Sequence, residues 1–309
     1  MSVSTAEPRA RGSSTKRALR SDRPTLVSIN RFEAKKNIPL ALDTFVHVQK
    51  ERAALGDTSR IRLIIAGGYD ARLQDNILTL QELEAQCRKQ GLSYVTLFFN
   101  RPHASEPPAS APPRQELMNT SVVFLPSIPY VLLNALLAHA QTRALLYTPT
   151  EEHFGIVPLE AMAAGVPVLA TNTGGPMESV VDLGIEREAK EGSAGAAITY
   201  TSREGTGLLR RATPKVWAQA TLDLLQLSDA QRVQIADYAR RRVHERFSQQ
   251  SMSQALDDCI RQVEALGGVR ADEGLIQWTV GISSMCTADR ASAITIADAL
   301  LFSAQCLSS

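Results

Sequence analysis

A doubly wound α/β domain is what this sequence predicts, on three observations. Short apolar runs alternate with segments whose apolar residues recur at helical spacing. Several runs, such as IRLIIA, are apolar at nearly every position, the pattern of strands covered on both faces. Glycines and charged side chains follow four of the runs. Strand alternating with helix implies parallel strands joined by right-handed crossovers in one Rossmann-like sheet.

TLVSIN, from Thr25, reads as the first buried strand. Ile38 to Leu55 follows with Ile38, Ala41, Leu42, Phe45 and Val48 at helical spacing. IRLIIAGG is the second strand. Asp75 to Gln90 then places Ile77, Leu80, Leu83 and Cys87 on one stripe, with Gly91 suited to end the helix. YVTLFF and SVVFLP are further strands, and IPYVLLNALLAHAQ a helix after them. RALLYT makes another strand, EEHFGIVPLEAM opens a helix, VPVLAT is a strand and TGGPMESVV a short helix.

Two stretches break the alternation. Asn100 to Thr120 is rich in Pro, Ala and Ser, and Leu183 to Glu204 is charged and rich in Gly and Ala; both read as loop insertions. After Thr213 only helices are expected: PKVWAQATLDLLQL, then one capped by Ser228 and one capped by Ser248. This makes a helical C-terminal extension. The predicted organisation is a disordered lead or linker remnant over 1–22, one sheet domain over 23–266, and a tail over 267–309 with no assigned role.

Composition excludes several function classes. The 309 residues carry a formal charge of +1 and 5% aromatics, which argues against bulk attraction to nucleic acid or stacking on it. Cys87, Cys259, Cys286 and Cys306 are too scattered for a metal-ligating pattern and read as thiols in a reducing compartment. No window approaches the ~18 uninterrupted apolar residues of a spanning helix, so any membrane contact is expected to be peripheral or through a partner.

In an open parallel sheet, ligands bind beyond the carboxyl ends of the strands. Arg31, Lys35 and Lys36 follow the first strand. Gly67 and Gly68 follow the second, Glu152 to Gly155 follow RALLYT, and Gly174 and Gly175 follow VPVLAT. Cations, small residues and helix N-termini at one edge suit a phosphate-bearing ligand. Gly155 permits a tight turn, and Pro158 fits a first helical turn, so the helix starts near Ile156 with N–H groups open to an anion. Glu152 on the loop and Glu160 in the helix would be costly beside phosphate unless they bind something specific, and sugar hydroxyls match carboxylate acceptors. Taken singly, each feature has an ordinary explanation. Glu160 suits the helix dipole, the glycine pairs suit turns, and a lone His153 is ordinarily structural. Their placement at one sheet edge favours a sugar-nucleotide site.

These residues together resemble glycosyltransferase family 4, retaining enzymes of the GT-B fold. The family's Glu-x7-Glu signature, Ala-Met helix and following strand are matched by Glu152-HFGIVPL-Glu160-AMAAGVPVLA. Its arginine with a lysine five residues on is matched by Arg31 and Lys36, and its Gly-Gly-x-x-Glu turn by Gly174 to Glu178. The resemblance implies the C-terminal, donor-binding half of a GT-B enzyme. Arg31 and Lys36 would bind the donor diphosphate, with Lys35 as an alternative to its neighbour. Glu152 would sit by the donor sugar and Glu160 would hold the ribose. The N–H groups of Gly155, Ile156 and Val157 would cap the distal phosphate, with His153 and Phe154 lining the same subsite.

The stretches SINRFEAKKNIPLAL, IIAGGYD and NTGGPMES are similar to family members that add α-1,3- and α-1,6-linked mannose to dolichol-linked oligosaccharide during N-glycan assembly. That similarity implies GDP-mannose as donor and dolichyl-diphosphate-linked Man-GlcNAc2 as acceptor. It also implies the cytosolic face of the endoplasmic reticulum membrane, with other lipid-linked oligosaccharide transferases as candidate partners. No Asp-x-Asp pattern stands where a metal-dependent transferase would need one, so no metal or other cofactor is expected. The family's acceptor-binding domain would precede TLVSIN, where some twenty residues stand. A nucleotide-sugar-binding fragment without catalysis, or a family 4 transferase with a UDP- or ADP-sugar donor, are the alternatives.

Overall fold

The computed structural model describes residues 21–99, 119–188 and 197–265. Most of the lead, most of the Pro-rich insertion and the whole 267–309 tail lie outside the described residues. The main sheet has seven strands, all parallel: β1 (Thr25–Ile29), β2 (Arg62–Gly67), β3 (Tyr94–Thr96), β4 (Val122–Pro126), β5 (Thr142–Tyr147), β6 (Val168–Thr171) and β9 (Gly207–Arg210). Their order across the sheet is β3-β4-β2-β1-β5-β6-β9. From β1 the chain runs to β2 and the edge strand β3, inserts β4 between them, then returns past β1 to build outward through β5, β6 and β9. The reversal lies between β1 and β5, where loops leaving the carboxyl ends part and a ligand crevice is expected.

Alternate residues of each strand serve opposite faces. Leu26, Leu63, Ile65, Phe124, Leu146 and Leu169 pack against α1 (Pro39–Ala54), α2 (Gln74–Lys89) and α6 (Pro214–Gln226). Val27, Ile29, Ile64, Val123, Leu145 and Ala170 pack against α3 (Tyr130–Leu137), α4 (Ile156–Ala164) and α7 (Asp229–Phe247). Both faces are covered, which is why the strands read as continuous apolar runs. The predicted stripe of α1 is wholly buried, from Ile38 through Val48.

Helix ends follow the local chemistry. Gly91 takes a positive φ just after α2, and the Ser228 hydroxyl oxygen accepts the Gln231 N–H in a full capping box at the start of α7. The Ser248 hydroxyl oxygen accepts the Ser251 N–H at the start of α8 (Gln249–Ala265). A short helix, α5 (Pro176–Ser179), follows β6. No helix among the described residues is long and apolar enough to cross a membrane.

The structure corrects one sequence expectation and adds a strand between two others. Part of the expected 183–204 loop is an antiparallel hairpin, β7 (Ile185–Glu188) with β8 (Ala197–Tyr200). Each strand has four residues, too few for a period-two pattern to emerge from a charged, Gly/Ala-rich background, yet Ile185 and Tyr200 pack on the core. The segment before Thr213 adds β9 to the sheet edge. A Cβ at Gly207 would lie 1.9 Å from the Val168 carbonyl oxygen, so glycine here allows backbone to meet backbone.

Trp217 is fully buried where α6 meets the sheet, among the largest side chains of its face. Trp217→Ala is expected to cost about 3–5 kcal/mol, read as a fall in the urea midpoint with an unchanged slope.

Candidate active site

The chain leaving β1 passes through Asn30, Arg31, Phe32 and Glu33 into a 3₁₀ turn, Ala34–Lys36. Asn37 ends the turn in the left-handed region, at φ 50°. Two short polar side chains fix this loop. Asn30, buried, donates from Nδ2 to Ser28 Oγ and Thr148 Oγ1, each at 3.3 Å. The Thr148 hydroxyl donates to the Lys36 carbonyl at 2.7 Å. Thr148 follows β5, so the loops on either side of the strand reversal are bonded together.

The adjacent lysines have different fates. Lys35 is 69% exposed and lies 3.2 Å from Glu33, which also pairs with Arg31 at 3.0 Å. Lys36 is only 16% exposed, and its Nζ donates to Glu152 Oε2 at 2.6 Å. Lys36, not Lys35, reaches the Glu152 loop. Tyr147, the last residue of β5, donates its hydroxyl to the same Glu152 oxygen at 3.0 Å. Burial works against ionisation of Glu152, but the Lys36 and Tyr147 hydrogen bonds and the Lys36 charge outweigh it and hold the carboxyl below its usual range. Burial, then the Glu152 charge, pushes the Tyr147 phenol well above its ordinary value, so Tyr147 remains a donor. An ammonium has three donors, so Lys36 can hold Glu152 and still meet a phosphate oxygen.

The Glu152 loop leads into α4. Gly155 stands at its N-cap with φ 81°, and no side chain caps the helix. Ile156 and Val157 head its first turn, where N–H groups lack partners within the helix. A Cβ at Gly155 would lie 2.8 Å from the Tyr147 hydroxyl oxygen. Glycine there therefore makes room for the tyrosine that holds Glu152.

The remaining candidates divide between the site and its support. Glu160 is half-buried on α4 and hydrogen-bonded to the Tyr130 hydroxyl at the start of α3; burial raises its carboxyl despite that bond. His153 is exposed, and Phe154 packs on Phe247 of α7 with ring centroids 6.0 Å apart. Gly68 lies beneath Arg31, where an added Cβ would be 3.1 Å from the arginine Cγ.

Gly67, Gly174 and Gly175 were expected to admit a ligand's close approach; what approaches them is the chain itself. A Cβ at Gly67 would lie 2.0 Å from the Asn30 carbonyl oxygen. One at Gly174 would lie 2.3 Å from the Glu152 carbonyl oxygen, and one at Gly175 2.3 Å from that of Phe154. The Gly175 N–H donates to the Glu152 carbonyl at 2.8 Å, and Thr171 and Thr173 hydroxyls donate to Pro149 and Thr150 carbonyls. The segment after β6 is thus a buttress for the Glu152 loop.

Tyr147, Thr148, Asn30, Glu33 and Tyr130 were missed as site residues in the sequence. For Tyr147 the available signal was a hydroxyl-bearing residue closing an otherwise apolar strand next to a candidate loop. Glu33 gave none, since a carboxylate between the cations Arg31 and Lys35 in a loop is ordinary.

Ionised Glu152 contributes stability that is fully present above its unfolded pKa, ~4.3, and lost as pH falls through its lower folded value. Lys36→Met is expected to raise the Glu152 midpoint, because burial then acts with the ammonium removed; side-chain carboxyl NMR titration of both proteins checks this. Gly175→Ala forces the buttress off the loop and is expected to destabilise the domain by about 1–3 kcal/mol while moving the Glu152 midpoint upward as well.

Residues 113–199 match the family model for glycosyl transferases group 1. Among curated relatives, the alpha-1,3/1,6-mannosyltransferase ALG2 of Eremothecium gossypii is 43% identical over 194 residues, covering 63% of this chain and 33% of its own length. The protein of the same name from Rhizomucor pusillus is 33% identical over 271 residues, covering 87% of this chain and 52% of its own. The chain thus spans between a third and about half of these relatives. Two solved structures share the fold. The alpha,alpha-trehalose 6-phosphate synthase of Burkholderia multivorans has a TM-score of 0.56 at 16% identity, covering 86% of this chain and 48% of that one. A glycosyltransferase from Rickettsia africae has 0.53 at 15%, covering 82% and 51%. The site at the β1/β5 reversal therefore joins Arg31 and Lys36 to a segment, 113–199, that is similar to glycosyl transferases group 1, and the chain as a whole is similar to part of the ALG2 mannosyltransferases.

Proposed function

We propose that this domain binds GDP-mannose as the donor half of a retaining α-1,3/1,6-mannosyltransferase acting on dolichyl-diphosphate-linked Man-GlcNAc2. The observation that carries the reading is the Lys36–Glu152–Tyr147 cluster beside the uncapped start of α4, at the point where the strand order reverses. The names of the relatives support mannose; GDP, dolichol and the cytosolic face of the endoplasmic reticulum are what the resemblance to such transferases implies. Other transferases acting on lipid-linked oligosaccharide are its proposed neighbours there.

In this reading the diphosphate lies against Arg31, the remaining Lys36 donors and the N–H groups of Gly155, Ile156 and Val157. As the bond from mannose C1 to the leaving phosphate breaks, charge grows on that phosphate, and these donors stabilise it without reorganising. The acceptor hydroxyl bonds to C1 on the same face, and its proton passes to the leaving phosphate oxygen. Glu152, kept ionised and fixed by Lys36 and Tyr147, accepts from sugar hydroxyls, and Glu160 accepts from the ribose. No step requires a metal.

The test measures GDP-mannose binding by calorimetry together with mannose transfer to the lipid-linked acceptor. GDP-mannose is expected to bind in the presence of EDTA, ahead of UDP- and ADP-sugars in competition. Arg31→Ala with Lys36→Ala is expected to weaken binding at least about tenfold, since hydrogen bonds to charged groups contribute ~1.5–3 kcal/mol each. Unchanged binding in that variant would overturn the site. A preference for another nucleotide would overturn the donor, and binding without transfer would restrict the chain to donor recognition.

A further inference from the structure

Glu33 stands between the two exposed cations of the loop after β1 and is itself only 9% exposed. Its Oε1 lies 3.0 Å from Arg31 Nη1, and its Oε2 lies 3.2 Å from Lys35 Nζ. The side chains of the two cations are 62% and 69% exposed, against 11% for the glutamate. The carboxylate is thus the inner member of the trio and the cations are the outer ones. Oε2 is buried and accepts no hydrogen bond, so Lys35 meets it through charge alone.

A buried carboxylate with an unused oxygen is costly, and ion pairs to solvent-exposed partners offset little of that cost. The local backbone does not call for it. Glu33 is the N-cap of the 3₁₀ turn, yet its side chain caps nothing. The turn is closed by the Lys36 N–H, which donates to the Glu33 carbonyl at 2.9 Å, and by the Asn37 N–H, which donates to the Ala34 carbonyl at 3.1 Å. Thr148 anchors it from the far side of the reversal. What the carboxylate does meet is the charge of Arg31 and Lys35.

Arg31 faces the donor diphosphate in the function proposed above, and the present inference rests on that reading. In GDP-mannose each phosphorus carries one ionised oxygen. Loss of the sugar leaves a terminal phosphomonoester, whose second ionisation, with a pKa of ~6, adds about one further negative charge at pH 8. That charge would appear on the phosphate beside Arg31. A carboxylate held under the same arginine is little screened by salt and has no room to turn away into water. It therefore opposes GDP more strongly than GDP-mannose. We propose that Glu33 is a specificity-determining residue that lowers the affinity for GDP relative to GDP-mannose, so that the nucleotide left after transfer is not retained.

The test measures GDP and GDP-mannose binding by calorimetry at pH 8, in EDTA, for the full chain and its Glu33→Gln and Glu33→Asp variants. Glutamine keeps an acceptor for Arg31 and removes the charge. In Glu33→Gln the ratio of GDP affinity to GDP-mannose affinity is expected to rise at least about threefold, with GDP itself binding more tightly. Aspartate keeps the charge and shortens the reach, so Glu33→Asp is expected to hold the ratio within about twofold of the unaltered chain. A purely structural role would weaken both ligands together and leave the ratio unmoved in both variants. An unmoved ratio in Glu33→Gln, or an equal rise in Glu33→Asp, overturns the proposal. Should Glu33→Gln unfold by circular dichroism, the unaltered chain decides instead. As pH rises from 5.5 to 8 and the second ionisation completes, GDP is expected to gain less than about threefold on GDP-mannose, and a larger gain overturns the proposal. Absence of GDP-mannose binding by the unaltered chain would overturn the reading of the site, and the inference with it. A ratio that stays fixed while both ligands bind overturns the inference alone.

Discussion

The ammonium of Lys36 lies 2.6 Å from a carboxylate oxygen of Glu152, and much of the molecule is arranged so that it can. Lys36 ends a turn that follows the first strand, whereas Glu152 follows the fifth, 116 residues later. The two meet because β1 and β5 are neighbours across the reversal of strand order. Two charges this little exposed are favoured only when their remaining hydrogen-bonding capacity is used. Tyr147 supplies a second donor to the carboxylate, and Thr148 pins the carbonyl of Lys36 itself. The pair, the phenol and the threonine form one unit joining the two halves of the sheet.

Around that unit the glycines serve one end, bringing backbone close to backbone. Gly67 lets the exit of β2 press against Asn30, and Gly174 and Gly175 let the segment after β6 press against Glu152 and Phe154. Gly155 leaves space for the Tyr147 hydroxyl. A side chain at any of these positions would push a loop outward and change the distance between Lys36 and Glu152. The geometry of the ion pair is therefore set by packing two layers away from it, and the outermost layer includes Phe154 resting on Phe247.

Much of this was legible in the sequence, and the reasons are physical. Strands buried on both faces are nearly all apolar, so β1, β2, β4 and β5 stand out, and long helices such as α1 and α2 repeat their stripe over several turns. The four-residue strands β7, β8 and β9 are short and lack the longer apolar runs, YVTLFF and VPVLAT, within which the equally short β3 and β6 lie. At the site, Arg31, Lys36, Glu152 and the start of α4 could be placed at one edge because strand polarity alone fixes the edge. Which lysine turns inward could not be read, because it depends on the pitch of a three-residue turn and on Thr148, 112 residues away. Tyr147 was hidden for a related reason: a phenol at a strand end counts as apolar in any pattern of burial.

The pairing of charges has a kinetic consequence. Around the crevice Arg31, Lys35 and Lys36 contribute three positive charges, and the site's carboxylates Glu33, Glu152 and Glu160 offset them. So balanced a set produces a shallow field, and a field that weak is screened within about a Debye length in physiological salt. The anionic sugar nucleotide proposed as donor would therefore be drawn in little faster than a neutral molecule of its size. Discrimination between such donors would then rest on how long each one stays, against fixed hydrogen-bonding groups, rather than on how often it arrives.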